Sequence, residues 1–204
     1  MDTLIDALVT LPETDRLHNI YSDSAVRRDT MARYLQDMAA RQPRHLMVLE
    51  APGYRGCALT GIPITSERIM MAGVVTWGLF GEGYTQASDH PRGMAEASAT
   101  ILWNALIDHA DDPPLLWNTV PLHPHKAGNR QSNRTPTRAE QRAGAVFIPQ
   151  ILDLFPSVEA VMGVGRIAQG MLAELDLHHA ALRHPAQGGK ADFIAGLQQA
   201  LRPD

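Results

Sequence analysis

The sequence predicts a single α/β domain over residues 1–204, a three-layer α/β/α sandwich on a mainly four-stranded parallel sheet. Three observations lead there. Four short apolar runs alternate with segments of helical period. A chain of 204 residues is long enough to bury one full core and short for two domains. Its 45% hydrophobic and 20% charged residues are ordinary globular composition. Strands that alternate with helices pair in parallel and are covered on both faces.

Residues 25–42 are expected to form an amphipathic helix, because Val26, Met31, Tyr34, Leu35 and Met38 recur near helical spacing and Pro43 ends it. The run 45–49 is a buried strand, and Glu50-Ala51-Pro52-Gly53 is the tight loop that leaves it. Residues 94–109 are a second helix, broken by Asp111-Asp112-Pro113-Pro114. Residues 115–120 are the second strand, stopped by Pro121. Residues 121–136 are a polar loop of a length that is uncommon without a function. Thr137 and Glu140 make a capping-box pattern for a helix through about Leu154. A third strand (158–163), a helix (165–175), a fourth strand (179–183) and a closing helix (191–201) complete the chain. The strand exits after 49 and 118 should lie at the carboxyl edge, where open α/β folds place their sites.

Composition narrows the functional classes. No apolar run reaches the 18 or more residues that a spanning helix needs, so no membrane association is expected. The first residues carry acids and no basic stretch, unlike a signal peptide, so a cytoplasmic, monomeric protein is the expectation. One cysteine, Cys57, excludes an intrachain disulfide and an all-cysteine metal or iron–sulfur site built by this chain alone, and a lone cysteine is a small buried hydrophobe before it is a nucleophile. The net charge of −4 is not that of an architectural nucleic-acid binder. Its distribution is uneven, however: Lys126, Arg130, Arg134, Arg138 and Arg142 stand against one acid, Glu140.

Two motifs carry chemistry only loosely. Gly163-Val164-Gly165-Arg166-Ile167-Ala168 follows a strand and opens a helix as a dinucleotide loop does, but too little chain follows it, and Arg183-His184 stand where the ribose-binding acid belongs. Close helix–sheet packing explains these glycines as well. His123-x-His125, with His178, His179 and His184 later, has a metal-ligand look, yet supplies two ligands of the three or four that zinc requires. No metal and no cofactor are expected. Neither a serine-hydrolase elbow nor a P-loop occurs.

Three segments in order are more specific. They are Leu49-Glu50-Ala51-Pro52-Gly53 continuing to Leu59-Thr60-Gly61-Ile62-Pro63-Ile64-Thr65; Trp117-Asn118-Thr119-Val120-Pro121 with Asn133-Arg134-Thr135-Pro136-Thr137; and Arg183-His184-Pro185-Ala186-Gln187-Gly188-Gly189-Lys190. Their order and placement, over about residues 45–190, resemble the uracil-DNA glycosylase superfamily, especially family 4. The resemblance implies a DNA N-glycosylase of base excision repair that flips a uracil, or a related deaminated base, out of DNA and hydrolyses its N-glycosidic bond. It makes Glu50 and His184 the catalytic residues: Glu50 near the sugar, positioning water or opposing its positive charge, and His184 donating to the developing charge on uracil O2. Ala51, Pro52, Gly53, Ile64 and Asn118 would bind the base, with Asn118 reading O4 and N3–H. Lys126, Arg130, Asn133, Arg134, Gln187 and Lys190 would contact DNA, Arg138 and Arg142 could follow phosphates from one helix face, and Gln187 would probe the duplex.

The pattern departs from family 4 at three positions. Leu49 replaces a glycine, Ile64 a stacking phenylalanine, and Ala186 the serine of His-Pro-Ser; the cluster cysteines are absent, so no iron–sulfur centre is expected. These departures bear on rate and substrate choice rather than on fold. They keep open a catalytically weak or inactive nucleic-acid-binding module on the same fold, beside a histidine-based metal hydrolase.

Overall fold

The computed structural model of the chain describes residues 1–202, so the last two positions of the expected domain range lie outside the described residues. The elements run α1 (Asp2–Val9), β1 (Leu17–His18), α2 (Ala25–Arg41), β2 (His45–Leu49), α3 (Cys57–Thr60), α4 (Glu67–Ala72), a 3₁₀ turn (Val75–Trp77), α5 (Ala97–His109), β3 (Leu115–Asn118), β4 (His123–Pro124), α6 (Arg138–Ala145), α7 (Phe147–Leu154), β5 (Ala160–Val164), α8 (Arg166–Glu174), β6 (Ala180–Leu182) and α9 (Lys190–Ala200).

Four strands form the expected parallel sheet, in the order β3-β2-β5-β6. β2 and β3 are buried along almost their whole length, as near-continuous apolar runs covered on both faces must be. Helices flank the sheet; α8 packs on β5 and α9 on β6, while α5 meets α9 and α6 meets α8. The core joins Leu46, Val48, Leu116 and Val164 of the strands to Tyr34, Leu35, Met38, Trp103, Leu172 and Phe193 of the helices. β2 lies next to β3 on one side and β5 on the other, and β5 connects onward to β6. The chain therefore leaves β2 and β5 in opposite directions, which opens a crevice outside their carboxyl ends.

Three expectations need correction. The second helix begins at Ala97, not Met94, because Met94 belongs to a loop tied to α4: its N–H donates to Glu67 Oε2 (3.0 Å) and its carbonyl accepts from Arg68 N (3.0 Å). The helix capped by Thr137 and Glu140 is capped as expected, but it breaks at Val146. Pro149 has no N–H to give the carbonyl of Ala145, and its ring crowds that turn. The polar loop 121–136 is buried through His125, since β4 pairs antiparallel with β1 in a second small sheet. The segments 1–24 and 54–93, to which no element had been assigned, supply α1, β1, α3 and α4.

Candidate active site

A cleft of about 770 Å³ opens at the carboxyl edge of the sheet. Its walls come from the loops after β2, β3, β5 and β6, with Ile64, the start of α5 and residues 133–135. Of the residues named from the sequence, the cleft collects Glu50, Ala51, Pro52, Gly53, Ile64, Asn118, Asn133, Arg134, His184 and Gln187. Lys126, Arg130 and Lys190 are exposed and outside its lining.

Glu50 and Asn118 are neighbours because their strands are. Leu49 is in register with Asn118, and the strand exits are locked where Thr119 N and Thr119 Oγ1 both donate to Leu49 O (2.8 Å each) and Val120 N donates to Glu50 O (3.0 Å). The Glu50 carboxyl is half-buried at the sheet edge, and burial pushes its pKa up. The turn that follows is braced from the loop 123–133. His123 Nδ1 meets Pro52 O at 2.7 Å, and Tyr54 N donates to Asn133 Oδ1 at 3.0 Å.

Asn118 is almost fully buried, with its amide on the cleft. Its Nδ2 donates to Cys57 Sγ at 3.5 Å, which orients the amide and leaves the second N–H and the carbonyl oxygen for a ligand. Burial pushes the Cys57 thiol up, so it stays protonated and is no nucleophile.

Ile64 has φ +44°, a left-handed conformation that a β-branched residue adopts only under constraint. The constraint is visible: Trp103 Nε1 donates to Ile64 O (3.2 Å), and Thr60 Oγ1 donates to Thr65 O (2.9 Å). The side chain is thereby fixed on the cleft wall.

His184 accepts from Ala186 N at Nδ1 (3.1 Å), so the neutral ring carries its proton on Nε2. Burial, with Arg183 beside it, holds its pKa down. A neutral Nε2–H donor at neutral pH results. Gly165, at φ +82°, passes close to the His184 side chain, where a bulkier residue would be strained. This gives the Gly163–Ala168 motif a packing role. Gln187 (φ +53°) and Gly188 (φ +78°) form the exposed tip of the loop after His184.

Two sets of basic residues are engaged by partners within the protein. Arg134 has all five donors engaged inside the protein: Glu140 takes two (2.6 and 2.7 Å), and the carbonyls of Arg16, His125 and Thr135 take the rest. It has no N–H left for a phosphate and serves as a brace of the 121–137 segment. Arg138 and Arg142 both pair with Glu174 of α8, Arg142 at 2.6 Å. Arg130 is exposed on its loop and pairs with Asp23 (3.7 Å) and Glu13 (3.9 Å).

Three of the four ring nitrogens of the histidine pair face backbone carbonyls. The rings of His123 and His125 stack with centroids 5.6 Å apart. The second nitrogen of His123 faces Arg130 O at 3.0 Å, and His125 Nδ1 faces Lys126 O at 2.9 Å. No group of three or more His, Cys, Asp or Glu converges among the described residues. No helix described is long and apolar enough to cross a membrane.

The cleft also holds Glu96, Ser98, Arg166 and Arg183, which sequence reasoning missed. Arg166 and Arg183 follow strand exits at the carboxyl edge and are exposed on the cleft; their position after apolar runs was the available signal. Glu96 stands just before α5, in the N-cap position but with no side-chain capping bond, and the misplaced helix start concealed it.

The α/β fold with its four-stranded parallel sheet flanked by helices is like that of the uracil-DNA glycosylase superfamily. The crystal structure of wild-type SMUG2 from Pedobacter heparinus, a member of that superfamily, matches 98% of this chain and 95% of its own with a TM-score of 0.66, at 17% sequence identity. At that identity the likeness establishes the fold. No protein-family model and no curated protein matches the sequence.

Proposed function

We propose that the protein is a DNA N-glycosylase that releases uracil, or a related deaminated base, from DNA. The observation that carries this is the meeting of Glu50, Asn118 and His184 in one cleft, each at or just beyond the carboxyl end of a parallel strand. The base enters flipped out of the helix and lies against Ile64. Asn118, oriented by Cys57, donates its free N–H to O4 and accepts from N3–H; cytosine presents the opposite polarity and leaves both groups unpaired.

The C1′–N bond breaks with its electron pair leaving on the base, and the sugar becomes oxocarbenium-like. His184 Nε2–H donates to the base O2 as charge builds there, and a neutral imidazole donates without giving up its proton. Glu50 opposes the cationic sugar and orients a water. That water forms the new C1′–O bond, its proton passes to Glu50 or solvent, and the base anion is protonated on release. Exposed Arg166, Arg183, Lys126, Arg130 and Lys190 supply phosphate contacts around the mouth, and Gln187 sits at the duplex-facing tip.

The test is base release from single- and double-stranded oligonucleotides carrying uracil, hypoxanthine or xanthine, with chelator present and abasic sites cleaved by hot alkali. Wild type should release at least one of these bases. Asn118→Ala and His184→Ala should each lose about a hundredfold or more, the scale for removing one such donor. Release that survives both substitutions overturns the residue assignment. Salt-dependent binding without release identifies a non-catalytic module on this fold.

A further inference from the structure

Glu96 stands apart from the other carboxylates of the molecule. It is a partly buried acid at the start of α5, it lines the cleft, and its carboxyl makes no hydrogen bond or ion pair among the described residues. Its carboxyl lies between Gly53 and Gly56, on the turn that leaves the sheet beside Glu50. A Cβ at either glycine would collide with the carboxyl oxygens, so the turn is shaped to admit this group. The titratable group facing it from that turn is the buried Cys57 thiol; Glu50, Arg134, Arg166, Arg183 and His184 share the cleft and do not bond to it. Burial is its one perturbation, and raises its pKa to about 7. Below about pH 7 such a carboxyl holds its proton and can act as an O–H donor itself.

We propose that Glu96 is a specificity-determining residue of the cleft, whose carboxyl donates a hydrogen bond to a carbonyl oxygen of the bound base. This rests on the glycosylase reading and deepens it. A neutral acid favours bases in which a carbonyl has replaced an amino group, as deamination produces. It also favours the departing base anion, whose charge is shared by those carbonyls. The ionised carboxylate does the opposite: it repels a carbonyl oxygen and attracts the amino group of cytosine or adenine. Glu96 thus adds a second polarity check beside Asn118, one that is set by its protonation.

The experiment follows single-turnover base release by wild type, Glu96→Gln and Glu96→Ala from about pH 5.5 to 9, a range that spans ionisation of a raised carboxyl. Wild type should be fastest with the acid neutral and fall up to tenfold per pH unit above about 7, as a singly ionising group requires. Glu96→Gln, whose amide N–H replaces the donor at every pH, should lose that alkaline limb while keeping the acid-side rate within a few-fold. Glu96→Ala should be slow throughout. The inference is overturned if the limb persists in Glu96→Gln, or if Glu96→Ala matches wild type on the acid side. If wild type releases no base, the glycosylase reading fails separately. Glu96 is then tested by binding of an oligonucleotide carrying 2′-fluoro-2′-deoxyuridine: weakening above about pH 7 in wild type but not in Glu96→Gln supports it, and identical pH dependence overturns it.

Discussion

Glu67 opens α4 and Glu96 precedes α5, and they are buried in opposite ways. Glu67, the first residue of α4, is fully buried and saturated. Its Oε1 accepts from Ala87 N (3.0 Å) and Ser88 N (2.8 Å), and its Oε2 from Ser88 Oγ (2.5 Å) and Met94 N (3.0 Å). Four donors are aimed at one carboxylate, and the loop 85–94 takes its path from them. Glu96 is enclosed by glycine backbone and receives no donor. A buried carboxylate with its donors in place is architecture. One left without them costs stability and gains a partner only when something enters the cleft.

The largest effect expected from this contrast is on folding. Glu67→Ala leaves three backbone N–H groups and a hydroxyl without their acceptor, and should destabilise the protein by about 4 kcal/mol, read from the urea midpoint. A loss under about 1 kcal/mol would mean that water replaces the carboxylate, and the distinction between the two glutamates would collapse. Glu96→Gln should have the reverse sign. The folded protein holds the Glu96 proton up to about pH 7, whereas the unfolded chain releases it near the ordinary value of 4.5. The stability of the neutral acid is therefore fully present below about 4.5 and is lost as pH rises through about 7. At about pH 9 Glu96→Gln should be the more stable protein by about 2 kcal/mol, with the two converging near pH 4. Equal unfolding midpoints at both pH values would show that the carboxyl is well solvated and break the comparison.

The same distinction separates what was legible in the sequence from what was not. Strand–helix alternation marked β2, β3, β5 and β6, because each is a short apolar run set between segments of helical period. The strand exits after 49 and 118 pointed to Glu50 and Asn118, whereas His184 came only with the resemblance; parallel pairing brings all three to one edge. Glu96 was not legible. It comes after a long loop whose course depends on Glu67 gathering distant donors, and no local pattern announces contacts 20 to 27 residues away. The β1–β4 pair escaped notice because two-residue strands carry no period. Arg134 was expected at the DNA on the resemblance alone, and a motif match does not show that its donors are already taken by Glu140 and three carbonyls.

Arginines repeat the contrast on the surface and yield the smaller effects. Arg166 and Arg183 border the cleft with no ion pair among the described residues, so their donors are available to phosphate. The double substitution Arg166→Ala with Arg183→Ala should weaken oligonucleotide binding about tenfold and lower the slope of log affinity against log salt by about 2, without moving the unfolding midpoint. Unchanged binding would place the DNA path elsewhere.

Arg142 provides the complementary control. Its guanidinium is exposed, but Nε donates to Glu174 Oε1 at 2.6 Å, and Arg138 holds the same carboxylate from one turn earlier. Exposed pairs of this kind contribute little to stability, so Arg142→Ala should change the unfolding free energy by less than about 0.5 kcal/mol. Oligonucleotide binding should stay within about twofold, because removing an arginine already paired with Glu174 removes little of the field a phosphate meets. If Arg142→Ala instead weakened binding as strongly as the cleft pair, Glu174 would have to release its arginines to DNA, and the nucleic acid would run along α6 and α8. The salt slope separates these cases. A path confined to the cleft mouth loses about two phosphate contacts when Arg166 and Arg183 are removed and none with Arg142, whereas a path along α6 loses one with Arg142 as well.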